Sequence, residues 1–207
     1  MKFGPISISV LAVLLALICF APAGYANVLA PGGSGAPDLL TEGGAPVTGI
    51  LSTPISTGTY KGTLESQVFV EAGGTLDFLY LLSVASGPDA VNRLTVTDFT
   101  GWTTDVGYLA GSGIVPTSVD RSNSGGTVGF QFGSEPNGVT AGESTDVLII
   151  ETNAKTFTVG TGSTIDGTVF SGGAYAPSPE PASVGLLLGG LFGIGLIVTR
   201  KFQARLS

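Results

Sequence analysis

Fifteen carboxylates and no histidine limit the chemistry open to this 207-residue chain. Its one cysteine, Cys19, lies in an apolar N-terminal run. Ser-His-Asp and Cys-His catalysis, imidazole-bound zinc and thiolate-bound metal therefore have no residues to work with outside that run. What remains for acid–base work is a carboxylate pair of the glycosidase kind, with Asp77, Asp98, Asp105, Asp146 and Glu151 as candidates. The plainer reading makes these solvated strand and turn residues. Trp102, within Thr100-Gly101-Trp102-Thr103-Thr104-Asp105, and the nearby Tyr108 are the candidate ligand aromatics, able to stack on a sugar ring if they share a surface. Against that, a lone tryptophan more often plugs the end of a core. Calcium could bridge turn carboxylates such as Asp89, Asp98, Asp105 or Asp120, but no Asp-x-Asp-x-Asp-Gly loop is present. The expectation is a noncatalytic protein with no cofactor and no metal.

Charge placement narrows the partners. All fifteen acidic residues lie between Asp38 and Glu180, and only Lys61, Arg93, Arg121 and Lys155 oppose them there. A phosphate-binding surface needs clustered positive charge, so nucleic acid is excluded as a partner.

The elements that must position these side chains are strands. With 43% apolar and 11% charged residues the chain has enough apolar surface to fold, and its 33 glycines follow no three-residue period. From Tyr60 to Glu71 apolar and polar residues alternate, as in a half-buried strand, and Ala72-Gly73-Gly74 turns it. Thr75 to Ala85 carries Leu76, Phe78, Tyr80, Leu82 and Val84 on one side and Leu79 and Leu81 on the other, the pattern of a strand buried on both faces. Further strands are expected over 93–99, 106–109, 127–132, 147–152 and 168–175. Short strands, glycine-rich turns and no helical period predict an antiparallel, jelly-roll-like β-sandwich over 46–175, with a closed barrel as the alternative. Residues 27–45, rich in glycine and proline, read as a flexible leader, and 176–181 as a Pro-rich linker.

The two ends read differently from the middle. Lys2 precedes a neutral run from Phe3 to Phe20, and small residues return in Ala21-Pro22-Ala23-Gly24-Tyr25-Ala26. That is the form of a signal peptide over 1–26, cleaved after Ala26, with cleavage after Ala23 or a retained membrane helix as alternatives. A lipoprotein reading of Cys19 is opposed by the bulky Ile18 and Phe20 on either side of it. Ala182 to Thr199 holds no charge and is followed by Arg200, Lys201 and Arg205. These are a transmembrane helix and its stop-transfer signal, the helix reaching about 27 Å at 1.5 Å per residue and so spanning only if nearly upright. Gly185, Gly189 and Gly193 share one face of that helix, a stripe along which another helix could approach closely. By the positive-inside bias both ends are cytoplasmic, residues 200–207 forming a basic tail, and the acidic domain lies outside.

Pro179-Glu180-Pro181, then the glycine-rich apolar segment, then Arg200-Lys201, resembles the PEP-CTERM sorting domain of Gram-negative bacteria. About thirty residues carry the resemblance, and residues 202–207 run longer than the family's usual end. It implies that an exosortase, an integral-membrane transpeptidase-like enzyme, recognises Pro179, Glu180 and Pro181 and cleaves near them. Two prolines deny Glu180 a helix or a ladder hydrogen bond, which would hold the tripeptide extended and accessible beside the membrane. The resemblance also implies an exported protein of an exopolysaccharide-rich, biofilm-like matrix, anchored in the inner membrane with its domain in the periplasm and moved to the surface or medium after sorting. Signal peptidase, the exosortase and the inner membrane are the expected partners, with exopolysaccharide as a further candidate. The alternative is an exported carbohydrate-binding module or weak glycosidase.

Overall fold

The computed structural model describes residues 28–133 and 137–178, and among them every regular element is a strand. In chain order these are β1 (Ser34–Gly35), β2 (Asp38–Leu40), β3 (Ala45–Pro46), β4 (Leu51–Ser56), β5 (Lys61–Val70), β6 (Leu76–Ser86), β7 (Arg93–Val96), β8 (Thr104–Leu109), β9 (Ser118–Arg121), β10 (Val128–Gln131), β11 (Leu148–Thr152), β12 (Phe157–Ile165) and β13 (Val169–Pro177). Two sheets result. One has six strands in the order β1-β9-β10-β7-β12-β13; the other runs β2-β8-β11-β6-β5-β3, with β4 also on β5. Every ladder is antiparallel except β2 with β8, which is parallel.

Two-residue alternation decides which face each side chain takes. Leu64 and Val68 of β5, Phe78, Tyr80, Leu82 and Val84 of β6, Val106 of β8, and Leu148 and Ile150 of β11 point inward from the seven-stranded sheet. They meet Leu94, Val96, Val119, Val128, Phe130, Ala174 and Ala176 from the other, in one buried core between two layers. Phe78 packs edge-to-face on Phe99, centroids 5.8 Å apart. The buried Tyr80 hydroxyl crosses the layers to donate to the Tyr175 carbonyl at 2.7 Å, so its polar tip is satisfied in the core.

All seven expected strands have counterparts, and β1 to β4, β9 and β12 are additional. β12 hid because the inward positions of FTVGTGSTI are small or polar, its apolar Phe157 and Val159 lying exposed on the other face. Gly162 takes an inward place on it, and a Cβ there would stand 2.5 Å from Leu64 Cδ2. The large side chain is supplied by the facing sheet. β4 hid behind Pro54, which a strand tolerates at an edge, where its missing N–H costs no ladder bond. From Val28 on, the segment expected to be a flexible leader is instead built into the fold. Ser34–Gly35 pairs with β9 in one sheet and Asp38–Leu40 with β8 in the other, so this stretch stitches the layers along one side. Its glycines and prolines serve tight changes of direction rather than looseness. At the far end β13 runs to Pro177, two residues past the expected boundary. The signal-peptide, membrane-helix, tail and sorting segments lie outside the described residues.

Candidate functional site

Inward placement of Phe78, Val106 and Ile150 forces their neighbours Asp77, Asp105 and Glu151 onto the outer face of the seven-stranded sheet. Strand register then lines them up. Glu151 on the central β11 stands directly opposite Asp77 on β6 and Asp105 on β8. Adjacent strands are about 4.8 Å apart, so three carboxylates of like sign share one row. Phe69 of β5 continues that row, and Glu71 follows two residues later.

A strap of chain crosses above. It leaves the β8 side as β2 and arrives at the far edge as β3, paired with Val70 and Phe69 of β5. Its close approach at the start requires Gly107, where a Cβ would lie 2.0 Å from the Asp38 carbonyl oxygen. Glu42 rides on the strap and accepts a 2.8 Å hydrogen bond from the Gly44 amide. A Cβ on Gly43 would be 3.2 Å from both carboxylate oxygens of Glu71, so the strap passes close to the acidic group at the end of β5. Ile149 and Leu79, outward-facing residues of the next row, are buried.

The electrostatic consequence is strong. Asp77 and Asp105 are 1% and 2% exposed, and Asp77 Oδ2 finds no hydrogen-bond partner. Burial pushes the Asp77 carboxyl up to about 8, helped by a hydrogen bond with Glu71 and by the charges of Glu71, Glu151 and Glu42. Burial, with Asp105 and Glu71 nearby, also raises Glu151. At neutral pH Asp77 therefore keeps a proton that an exposed carboxylate would have lost. Of the four basic residues between the ends, Lys61 starts β5 at the opposite end from Glu71, Arg93 pairs with Asp120, Arg121 serves backbone carbonyls, and Lys155 is exposed beyond β11.

Three of the five carboxylates proposed for acid–base chemistry thus come together, yet buried Asp77 and Asp105 leave no room for a sugar between them. The other two stand apart. Asp98 sits exposed after β7 with φ of 76°, bonded by the Thr97 hydroxyl at 3.1 Å. Asp146 is buried and accepts the Gly111 and Gly113 amides at 3.2 and 2.6 Å, which fastens the loop after β8. The turn carboxylates considered for calcium are likewise scattered: Asp89 between β6 and β7, Asp98 after β7, and Asp105 and Asp120 on the outer faces of different sheets. Among the described residues no three acidic side chains are placed to hold a metal ion.

Trp102 and Tyr108 are not brought together. Tyr108 packs half-buried against the core from the inner face of β8. Trp102 is half-buried in the loop before β8, and Arg121 organises that loop. The buried Arg121 guanidinium donates to four carbonyls, those of Gly125 (3.0 Å), Leu29 (3.1 Å), Phe99 (2.7 Å) and Trp102 (2.7 Å). Sequence patterning passed over Arg121, Glu42 and Glu71, since an arginine in a short strand and glutamates at element ends carry no periodic signal. Ala26, Pro179, Glu180, Pro181, Gly185, Gly189, Gly193, Arg200, Lys201 and Arg205 lie outside the described residues.

No protein-family model matches the chain, and neither the curated proteins nor the solved structures contain a match.

Proposed function

We propose that this chain is a noncatalytic envelope or extracellular-matrix protein, exported through a signal peptide cleaved after Ala26 and sorted by an exosortase at Pro179-Glu180-Pro181. The observation that carries this reading is the order of tripeptide, uncharged 18-residue segment and basic cluster in SPEPASVGLLLGGLFGIGLIVTRKFQARLS. It is supported by where the β domain closes. β13 ends at Pro177, and the Ser178 amide makes its hydrogen bond to the Thr156 carbonyl at 3.0 Å. The next residue is Pro179, so folded domain and sorting signal adjoin with no spacer. In this reading the protein is a jelly-roll-like sandwich between a signal helix and a membrane helix, held in the inner membrane and then displayed or released. The exosortase and signal peptidase are its processing partners and exopolysaccharide its candidate surroundings. The carbohydrate-binding or weak glycosidase alternative has less support, because Tyr108 packs on the core and the clustered carboxylates are covered.

Intact-mass spectrometry of the protein from envelope and medium fractions of its host tests the proposal. An N-terminus at Asn27 with a C-terminus near 179–181 is the expected result, and Glu180→Ala should retain the tail. A wild-type mass that still includes residues 182–207 in every fraction overturns the sorting reading and leaves a permanently anchored protein.

A further inference from the structure

We infer that the strap joining β2 to β3 is a proton-controlled latch, closed over the row Asp105–Glu151–Asp77 while that row holds protons and loosened when the row ionises. Geometry carries the inference. Sheets avoid like charges directly opposite one another, because each such pair is destabilising. Here two such pairs share the half-buried Glu151, and their other members, Asp77 and Asp105, are buried instead of left in water. The groups facing Asp77 are acidic from every side: Glu151 from β11, Glu71 from the end of β5, and Glu42 from the strap itself. Asp105 adds its charge at Glu151 from β8.

With Asp77 protonated, the row carries one negative charge fewer near Glu42. Loss of that proton places another buried anion beside Glu71 and Glu151. The fold offers two ways to relieve this. Either the global structure weakens, or the strap lifts and lets water reach the row. The strap is the weaker element. Its residues 41–44 belong to no strand, and β2 and β3 hold it with three and two paired residues. By contrast β6 and β11 are interior strands of the sheet. Lifting would extend an open groove of about 160 Å³ that Leu79 lines together with Ile50, Phe69, Leu81 and Val147. Closed, the latch hides that apolar surface.

Hydrogen exchange of the full-length chain at pH 6 and pH 9, corrected for intrinsic rates, reads the latch directly. Amides of residues 41–45 should lose protection by about 10-fold or more on going to pH 9, while those of the β12–β13 hairpin keep theirs. In Asp77→Asn, and independently in Glu151→Gln, that loss should shrink to within about 2-fold. If Asp77→Asn does not fold, Glu151→Gln decides alone. A strap equally protected at both pH values in the wild type overturns the inference, as does an equal loss in wild type and Glu151→Gln. Full restoration at pH 9 by millimolar calcium, reversed by chelator, overturns it in another way, making the row a cation site and not a proton latch.

Discussion

Arg121 donates through Nη2 to the backbone carbonyl of Trp102 at 2.7 Å, tying the lone tryptophan's loop to β9. The same guanidinium reaches Leu29, Phe99 and Gly125, so one side chain closes an end of the sandwich where three segments of chain converge. Burial pulls its pKa down from the ordinary arginine value. Its stability comes from saturating carbonyls, not from an ion pair. Arg121→Met should cost roughly 3–5 kcal/mol, since it strands several buried acceptors at once. Urea denaturation measures the loss, and a red shift of Trp102 emission before global unfolding would report release of the loop. An unshifted spectrum with unchanged stability would show that water serves these carbonyls equally well.

The acidic row sets the direction of pH dependence. Asp77 is raised from 3.8 to about 8 in the folded state, so folding takes up protons between those values and stability falls as pH rises through that window. Glu151 is raised too and acts in the same sense. Asp120, lowered by Arg93, acts oppositely, and its contribution is lost as pH falls below the ordinary carboxylate range. Maximum stability is therefore expected near pH 4–5, with a loss of roughly 3–6 kcal/mol by pH 8.5. Asp77→Asn should flatten that slope. A melting temperature that climbs from pH 5 to pH 8.5 would reverse the assignment.

Removing the central charge should help the fold. Glu151→Gln deletes the carboxylate that opposes both Asp77 and Asp105 while keeping the side chain's size. A gain of about 1 kcal/mol at pH 8 is expected, shrinking at pH 5, where Asp77 is protonated. Chemical denaturation at the two pH values gives the comparison.

On the opposite face Arg93 and Asp120 form a bidentate pair, one bond at 2.5 Å and the other at 2.7 Å. It spans β7 to β9 across Gly129 of β10, where a Cβ would meet Arg93 Nη2. Both side chains are partly exposed, so Asp120→Asn should cost only about 0.5–1 kcal/mol, less at high salt. Gly129→Ala should displace the guanidinium. If so, its cost and that of Asp120→Asn will not add in a double-mutant cycle, and strict additivity would mean the pair survives the methyl group.

Much of this was legible in the residues alone. Alternation from Tyr60 to Val84 determined two adjoining strands and their buried faces, because a two-residue period has only one way to hide Leu64, Val68, Phe78, Tyr80 and Leu82 together. Absence of histidine excluded whole classes of catalysis without any structure. Composition could not disclose that Gly162 is an interior position, since the bulk that fills it belongs to Leu64, nearly a hundred residues away. Nor could spacing along the chain bring Asp77, Asp105 and Glu151 into one row. Each obeys its own strand's period, but only ladder register across β6, β11 and β8 places them side by side, and only packing of distant segments on that sheet buries Asp77 and Asp105. Local periodicity is set by bonded geometry and survives in sequence; register and covering depend on which distant strands pair, which is a property of the packed whole.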